Sequence, residues 1–232
     1  MADPVQLPLR LVMPDYATWD QVYSRSEDLV VPQLKAFVIG QGEDFILLHS
    51  KEGSGKTLLL QTVCQEAQKI GQDAVYLSLA EVGHYAPAWL HDLQHHDVVC
   101  LDAVDTIAGQ AEWEQALFHL FNAMRDQNKR LLLAMRRSLA QASWCLADLT
   151  SRLQWGLLLQ LPPLSEREII QALQQKAQQV GLVLTDDIAE FMLRRLPRKM
   201  DELSQALQQL NHASLVAQRK LTVPFVKDVL HI

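Results

Sequence analysis

Five short apolar runs mark the chain before residue 162, at Phe45 to His49, Ala74 to Leu79, Val98 to Asp102, Arg130 to Met135 and Gly156 to Gln160. Their continuous rather than alternating apolar character predicts strands covered on both faces. Amphipathic stretches lie between them, so the order predicts a parallel sheet with helices on either side. In Ala111 to Asp126 the residues Trp113, Ala116, Leu117, Leu120, Phe121 and Met124 fall on one helical face, a core stripe against the sheet. After Pro162-Pro163 the strand pattern stops. Ser165-Glu166-Arg167-Glu168 is a capping-box start for a helix running to Gly181, and Thr185 to Arg195, Met200 to Gln218 and Val223 to Leu230 read as further helices. The expected organisation is a tail over residues 1–17, an α/β domain over 18–162 and a small all-helical lid over 163–232. No helix-turn-helix reader is expected beyond that bundle.

The first strand delivers the most informative stretch. Phe45-Ile46-Leu47-Leu48-His49 leads into Ser50-Lys51-Glu52-Gly53-Ser54-Gly55-Lys56-Thr57, followed by an apolar helical run to Ile70 that Gly71 stops. A strand, a glycine-rich turn and a helix in that order form a phosphate-binding loop. Gly53, Ser54 and Gly55 turn backbone N–H groups toward phosphate oxygens, Lys56 reaches the β- and γ-phosphates, and the Thr57 hydroxyl suits Mg²⁺. Ser50 stands where the motif's first glycine belongs, so a serine must tolerate the turn there. Asp102 ends the third run, where such a protein needs a carboxylate to hold Mg²⁺. The next position, where many ATPases place the acid that orients the attacking water, is Ala103, and Asp105 lies too far along. Weak self-hydrolysis is expected. Arg152, in Ser151-Arg152-Leu153-Gln154-Trp155-Gly156, is expected on a loop at the domain edge, where a guanidinium can act on a neighbour's γ-phosphate.

Composition narrows the setting. With 232 residues and 49% hydrophobic content the chain can bury a sizeable core, and no apolar run approaches the ~20 residues that span a bilayer. A cytoplasmic protein without membrane contact is the expectation. The net charge of −6 opposes strong autonomous binding to a phosphate backbone. Cys64, Cys100 and Cys145 lie far apart in apolar surroundings and are expected as reduced, buried thiols. His91, His95 and His96 near Asp92 suit an exposed loop better than a metal site, and Arg194, Arg195, Arg198 and Lys199 a solvated helix end. In the tail, Gln6, Leu7, Leu9 and Leu11 form a polar anchor with alternating apolar residues. They either dock into a partner's groove or pack back onto the chain's own domain.

Taken in order, the phosphate-binding loop, the Asp102 strand, the Ser151-Arg152-Leu153 box and the helical lid resemble an AAA+ protein of the DnaA type. Gln6-Leu7-Pro8-Leu9-Arg10-Leu11 resembles a sliding-clamp binding motif, Q-L-x-L-x-L, and Ala217 to Lys227 is similar to the ending of a regulatory branch of that family. The resemblance implies an AAA+ α/β domain with a helical lid, and a negative regulator of replication initiation rather than an enzyme. It implies ADP as the cofactor, with Mg²⁺ at Thr57 and Asp102. Its partners would be DnaA and the β sliding clamp of DNA polymerase III, with DNA contacted indirectly through the clamp and a homo-oligomer left open. Arg152 would then be an arginine finger in trans, promoting hydrolysis of DnaA-bound ATP. A DNA-loading or remodelling motor of the same superfamily is the alternative, and Ala103 and Arg136 oppose it. The family's lid arginine aligns with Asp201, which leaves Arg198 as the nearest cation.

Overall fold

Each of the five apolar runs becomes a strand of one parallel sheet: β1 Phe45–His49, β2 Ala74–Ser78, β3 Val98–Asp102, β4 Arg130–Met135 and β5 Leu157–Gln160. The computed structural model describes residues 17–23, 29–51, 53–80 and 86–232. Strand order is β2-β3-β4-β1-β5, with Ile46 opposite Leu132 on one side and Leu157 on the other. Period-two alternation divides the strand residues between two cores. Leu47, Leu101, Leu131 and Leu133 face one core, whereas Ile46, Leu48, Cys100, Leu132 and Ala134 face the other.

Helix α1, Val30–Val38, and α2, Lys56–Lys69, cover the second of these cores. The short α3, Trp89–Asp92, together with α4, Ala111–Asp126, and α5, Ala147–Leu153, covers the first. On α4 the buried positions Leu117, Leu120, Phe121 and Met124 recur at the helical period. Two features differ from expectation. Helix α1 lies where no element was singled out, because Pro32 breaks its apolar pattern although proline is tolerated in a first turn. Cys145 is exposed, whereas Cys64 and Cys100 are buried as expected.

Four helices form the lid: α6 Glu166–Gln179, α7 Asp186–Arg195, α8 Met200–Ala217 and α9 Val223–Leu230. The capping box closes α6 as its sequence predicts, with the Ser165 amide donating to Glu168 at 2.7 Å. Leu173, Met192, Leu203, Leu210 and Val226 fill the lid's own core. A strap over residues 17–23 joins lid to sheet. Trp19 packs against the α1 and α2 core, Tyr23 Oη donates to Gln171 at 2.7 Å, and the side chains of Gln175 and Gln179 both donate to the Asp20 carbonyl. Among the described residues no helix is long and apolar enough to cross a membrane.

Candidate functional site

The carboxyl ends of β1, β3 and β4 open onto one cleft. In a parallel sheet that edge gathers loops and the amino ends of following helices, where phosphate-sized ligands bind. The cleft has an empty volume of ≈ 770 Å³ and includes Gly53, Gly55, Lys56, Thr57, Asp102 and Arg136 in its lining. Gly53 and Gly55 have φ of 78° and 87°, values that L side chains rarely adopt, so the loop's curl depends on these glycines. Gly55 also caps α2, whose amino end points its free N–H groups into the cleft. Lys56 is only 7% exposed, and its ammonium donates to the carbonyls of Ser50 and Lys51 at 2.7 and 2.8 Å. Those bonds fix the cation beneath the loop.

Thr57 and Asp102 meet as the sequence suggests, with Thr57 Oγ1 donating to Asp102 Oδ2 at 2.6 Å. Asp102 is 6% exposed and also receives Tyr76 Oη at 3.3 Å and the Ala103 amide at 2.7 Å. A hydroxyl and a carboxylate give hard oxygen donors that fit Mg²⁺. The position after Asp102 offers no acid to the cleft. Asp105 instead accepts the Arg136 amide at 3.0 Å.

Ser50 does not adopt a positive φ, so the missing first glycine imposes no strain on the loop. Its hydroxyl donates to the Leu161 carbonyl, and the Leu161 amide donates to His49 at 3.0 Å. Sequence reasoning missed this link, and the signal for it is the polar residue itself at a buried turn.

A second, more apolar slot of ≈ 720 Å³ adjoins the first, since Ser54 and Gly55 line both. Val22 and Tyr23 of the strap, Val31 of α1, Leu58 of α2, Leu161 just after β5, and Met200 of the lid are among its walls. An apolar slot continuous with a phosphate cradle matches the two halves of a nucleotide, a flat base and a charged tail. None of these apolar residues stands out in the sequence, because their convergence comes from five separate segments.

The lid residue packed against the phosphate loop is Lys199, through its backbone and stem. A Cβ placed on Gly53 would lie 3.5 Å from the Lys199 Cα, whereas Arg198 pairs with Glu166 and lines a separate lid groove with Arg194. His91 and His95 are exposed as expected, although on short helical elements rather than a loop. His91 lies in α3 and stacks on His119 with ring centroids 6.0 Å apart, His95 ends a 3₁₀ turn, and His96 pairs with Asp73 at 2.9 Å. Among the described residues no group of three or more such side chains converges to hold a metal.

Arg152 occupies the last turn of α5 rather than a loop. The helix holds it at the sheet edge away from the cleft, with the guanidinium carbon 4.1 Å from the centroid of the Trp155 ring and 5.8 Å from that of Phe118. Among the described residues no carboxylate pairs with it, and its Nε has no hydrogen-bond partner. Glu114, fully buried on α4, anchors the start of α5: its carboxylate accepts the amides of Cys145 at 2.9 Å and Leu146 at 2.7 Å, and that of Gly109 at 2.7 Å. An acid on an otherwise apolar helix face was its only sequence signal. Gln6, Leu7, Leu9 and Leu11 lie outside the described residues.

Loop, carboxylate strand and helical lid define a DnaA-related AAA+ protein. The chain matches the model of the bacterial DnaA ATPase domain over residues 38–160, more than half its length, and therefore belongs to that family. Its lid is of a particular branch, since residues 166–230 match the Hda lid domain. Domain III of the Thermotoga maritima initiation protein DnaA superposes with a TM-score of 0.78 at 17% identity, over 94% of this chain and 97% of that one. AMPPCP-bound DnaA from Aquifex aeolicus gives 0.72 at 20% identity, over 85% of this chain and 65% of that one. The Thermotoga maritima RuvB Holliday junction branch migration motor gives 0.67 at 16% identity, over 96% and 73%. At these identities the likeness establishes the fold.

Proposed function

We propose that this protein is a nucleotide-bound regulator that inactivates the replication initiator DnaA by promoting hydrolysis of DnaA-bound ATP. The observation that carries this is Arg152, a guanidinium held on an aromatic face at the domain edge with no carboxylate among the described residues to neutralise it. A positioned, unneutralised arginine stabilises charge that develops on a transferring phosphoryl group, an effect of roughly 10³ to 10⁵ in rate. The arginine lies away from the chain's own cleft and serves a neighbouring protein's nucleotide. DnaA is the neighbour that the DnaA-type domain and the Hda-type lid favour.

The cleft and slot hold ADP. Gly53, Ser54, Gly55 and Lys56 receive its phosphates, Thr57 and Asp102 hold Mg²⁺ when it is bound, and the slot beside them takes the base. AMPPCP-bound DnaA, with the same fold, supports an adenine nucleotide as the ligand. Ala103 and Arg136 leave the chain without an acid to orient a water, so its own hydrolysis is weak. Gln6, Leu7, Leu9 and Leu11 tether the protein to the DNA-loaded β clamp as an extended peptide in a groove. The test is DnaA ATP hydrolysis on clamp-loaded DNA with wild type and with Arg152→Ala, with clamp retention and ADP binding measured for both. Loss of stimulation alone supports the proposal. Undiminished stimulation by Arg152→Ala overturns it.

A further inference from the structure

Trp155 is a large aromatic residue left 56% exposed on the surface, two residues before the edge strand β5 is under way. Exposure of that size does not arise from core packing. The ring's surroundings explain it: the Arg152 guanidinium lies 4.1 Å from its centroid and that of Arg125 lies 5.5 Å away. Arg125 is itself paired with Asp126 at 3.1 Å, so its charge is partly neutralised, whereas among the described residues no carboxylate pairs with Arg152.

The backbone holds the indole in place. The Trp155 amide donates to the Arg152 carbonyl at 3.0 Å, closing the turn that ends α5. Next along the chain, Gly156 packs so tightly on β1 that a Cβ there would come within 2.4 Å of the Phe45 carbonyl oxygen and 2.0 Å of its ring. A fixed turn on one side and a residue that admits no side chain on the other thus set the backbone from which the indole projects.

The geometry points to Trp155 as the positioning residue of Arg152. An unpaired arginine side chain samples many rotamers, and a guanidinium that must reach a transition state loses rate for every orientation in which it does not. The Arg152 Nε is buried, so the donors that count are those of the two terminal nitrogens, and cation–π attraction over an indole restricts the rotamers without consuming these, since they lie in the guanidinium plane. A carboxylate would hold the arginine as firmly but would occupy those donors. This inference rests on Arg152 acting in trans, as proposed above.

The test is stimulation of DnaA ATP hydrolysis on clamp-loaded DNA, titrating full-length protein and comparing single and double variants. Trp155→Ala is expected to lower maximal stimulation roughly 3- to 30-fold, the range a cation–π contact supplies, at an unchanged half-saturating concentration. Trp155→Phe and Trp155→Tyr restore most of the rate. Trp155→Leu, which keeps apolar bulk without a π face, does not. Trp155→Ala added to Arg152→Ala lowers stimulation no further. Full stimulation by Trp155→Ala while Arg152→Ala has lost it overturns the positioning role alone, as does rescue by Trp155→Leu or a further fall in the double variant. Undiminished stimulation by Arg152→Ala overturns the finger itself.

Discussion

The carboxylate of Glu114 accepts the amide of Leu146 at 2.7 Å, which places a buried acid at the first turn of the helix that carries Arg152. The contact satisfies an N–H that has no partner inside α5 and sets negative charge where the helix dipole favours it. It also connects the core face of α4 to the edge from which Arg152 projects.

Glu114→Ala therefore strands three part-buried amide donors, those of Gly109, Cys145 and Leu146. A loss of about 1 to 3 kcal/mol is expected, with roughly half recovered by Glu114→Gln, whose amide oxygen still accepts. Urea unfolding followed by circular dichroism measures both. A midpoint within error of wild type for Glu114→Ala would show that the amides find other partners.

Lys56→Ala removes the cation held beneath the phosphate loop. ADP affinity should fall by about 1.5 to 3 kcal/mol, the scale of a charge-assisted hydrogen bond in a partly desolvated site. Isothermal titration calorimetry reads this directly. Equal affinity in variant and wild type would mean that the lysine serves only to close the loop through Ser50 and Lys51.

The tail can be tested apart from the fold. Replacing Gln6 and Leu7 together by alanine should abolish retention on the β clamp while leaving thermal stability and ADP binding unchanged, since these residues precede the packed domain. Wild-type retention of the clamp by the double variant would sink the tether.

Thiol chemistry supplies a prediction with a sign. Burial pushes the Cys64 thiol up to about 12 from 9.0, with Asp73 adding to the shift, and burial raises Cys100 in the same direction. Below pH 9 both folded and unfolded chains keep these protons, so the thiols give no pH dependence. Between pH 9 and about 12 the unfolded chain deprotonates Cys64 first, and stability falls with rising pH, while Cys100 adds to the fall in the same direction. Cys64→Ala should flatten that decline in urea melts across the window. At neutral pH a thiol reagent should modify the exposed Cys145 rapidly and Cys64 and Cys100 only after unfolding. Rapid labelling of all three in the folded protein would contradict their burial.

The sheet was legible because doubly covered strands must be apolar at every position, and Val98 to Asp102 and Arg130 to Met135 are buried almost throughout. The phosphate loop was legible for a different reason: its glycines have local conformational work to do. Helix α5 was not, since Ala147 to Leu153 is too short to display a helical period, and Arg152 was therefore expected on a loop. Nor were the slot residues, because Val22, Leu58, Leu161 and Met200 are unremarkable as apolar positions and become a site only when separate segments converge. Lys199 shows the same limit. Counting along the lid favoured Arg198, but the turn into α8 lays the backbone of its neighbour on Gly53.

The hydrogen bond from the Ser50 hydroxyl to the Leu161 carbonyl has a mechanical meaning. Leu161 is the last residue before Pro162 and Pro163, the stiff pair from which the lid departs, so the bond pins the pivot of the lid to the first residue of the phosphate loop. A glycine would fill the motif and leave Leu161 held by its amide bond to the His49 carbonyl alone. The one departure from the loop's usual sequence thus adds a side-chain tie between the phosphate loop and the segment that leads into the lid.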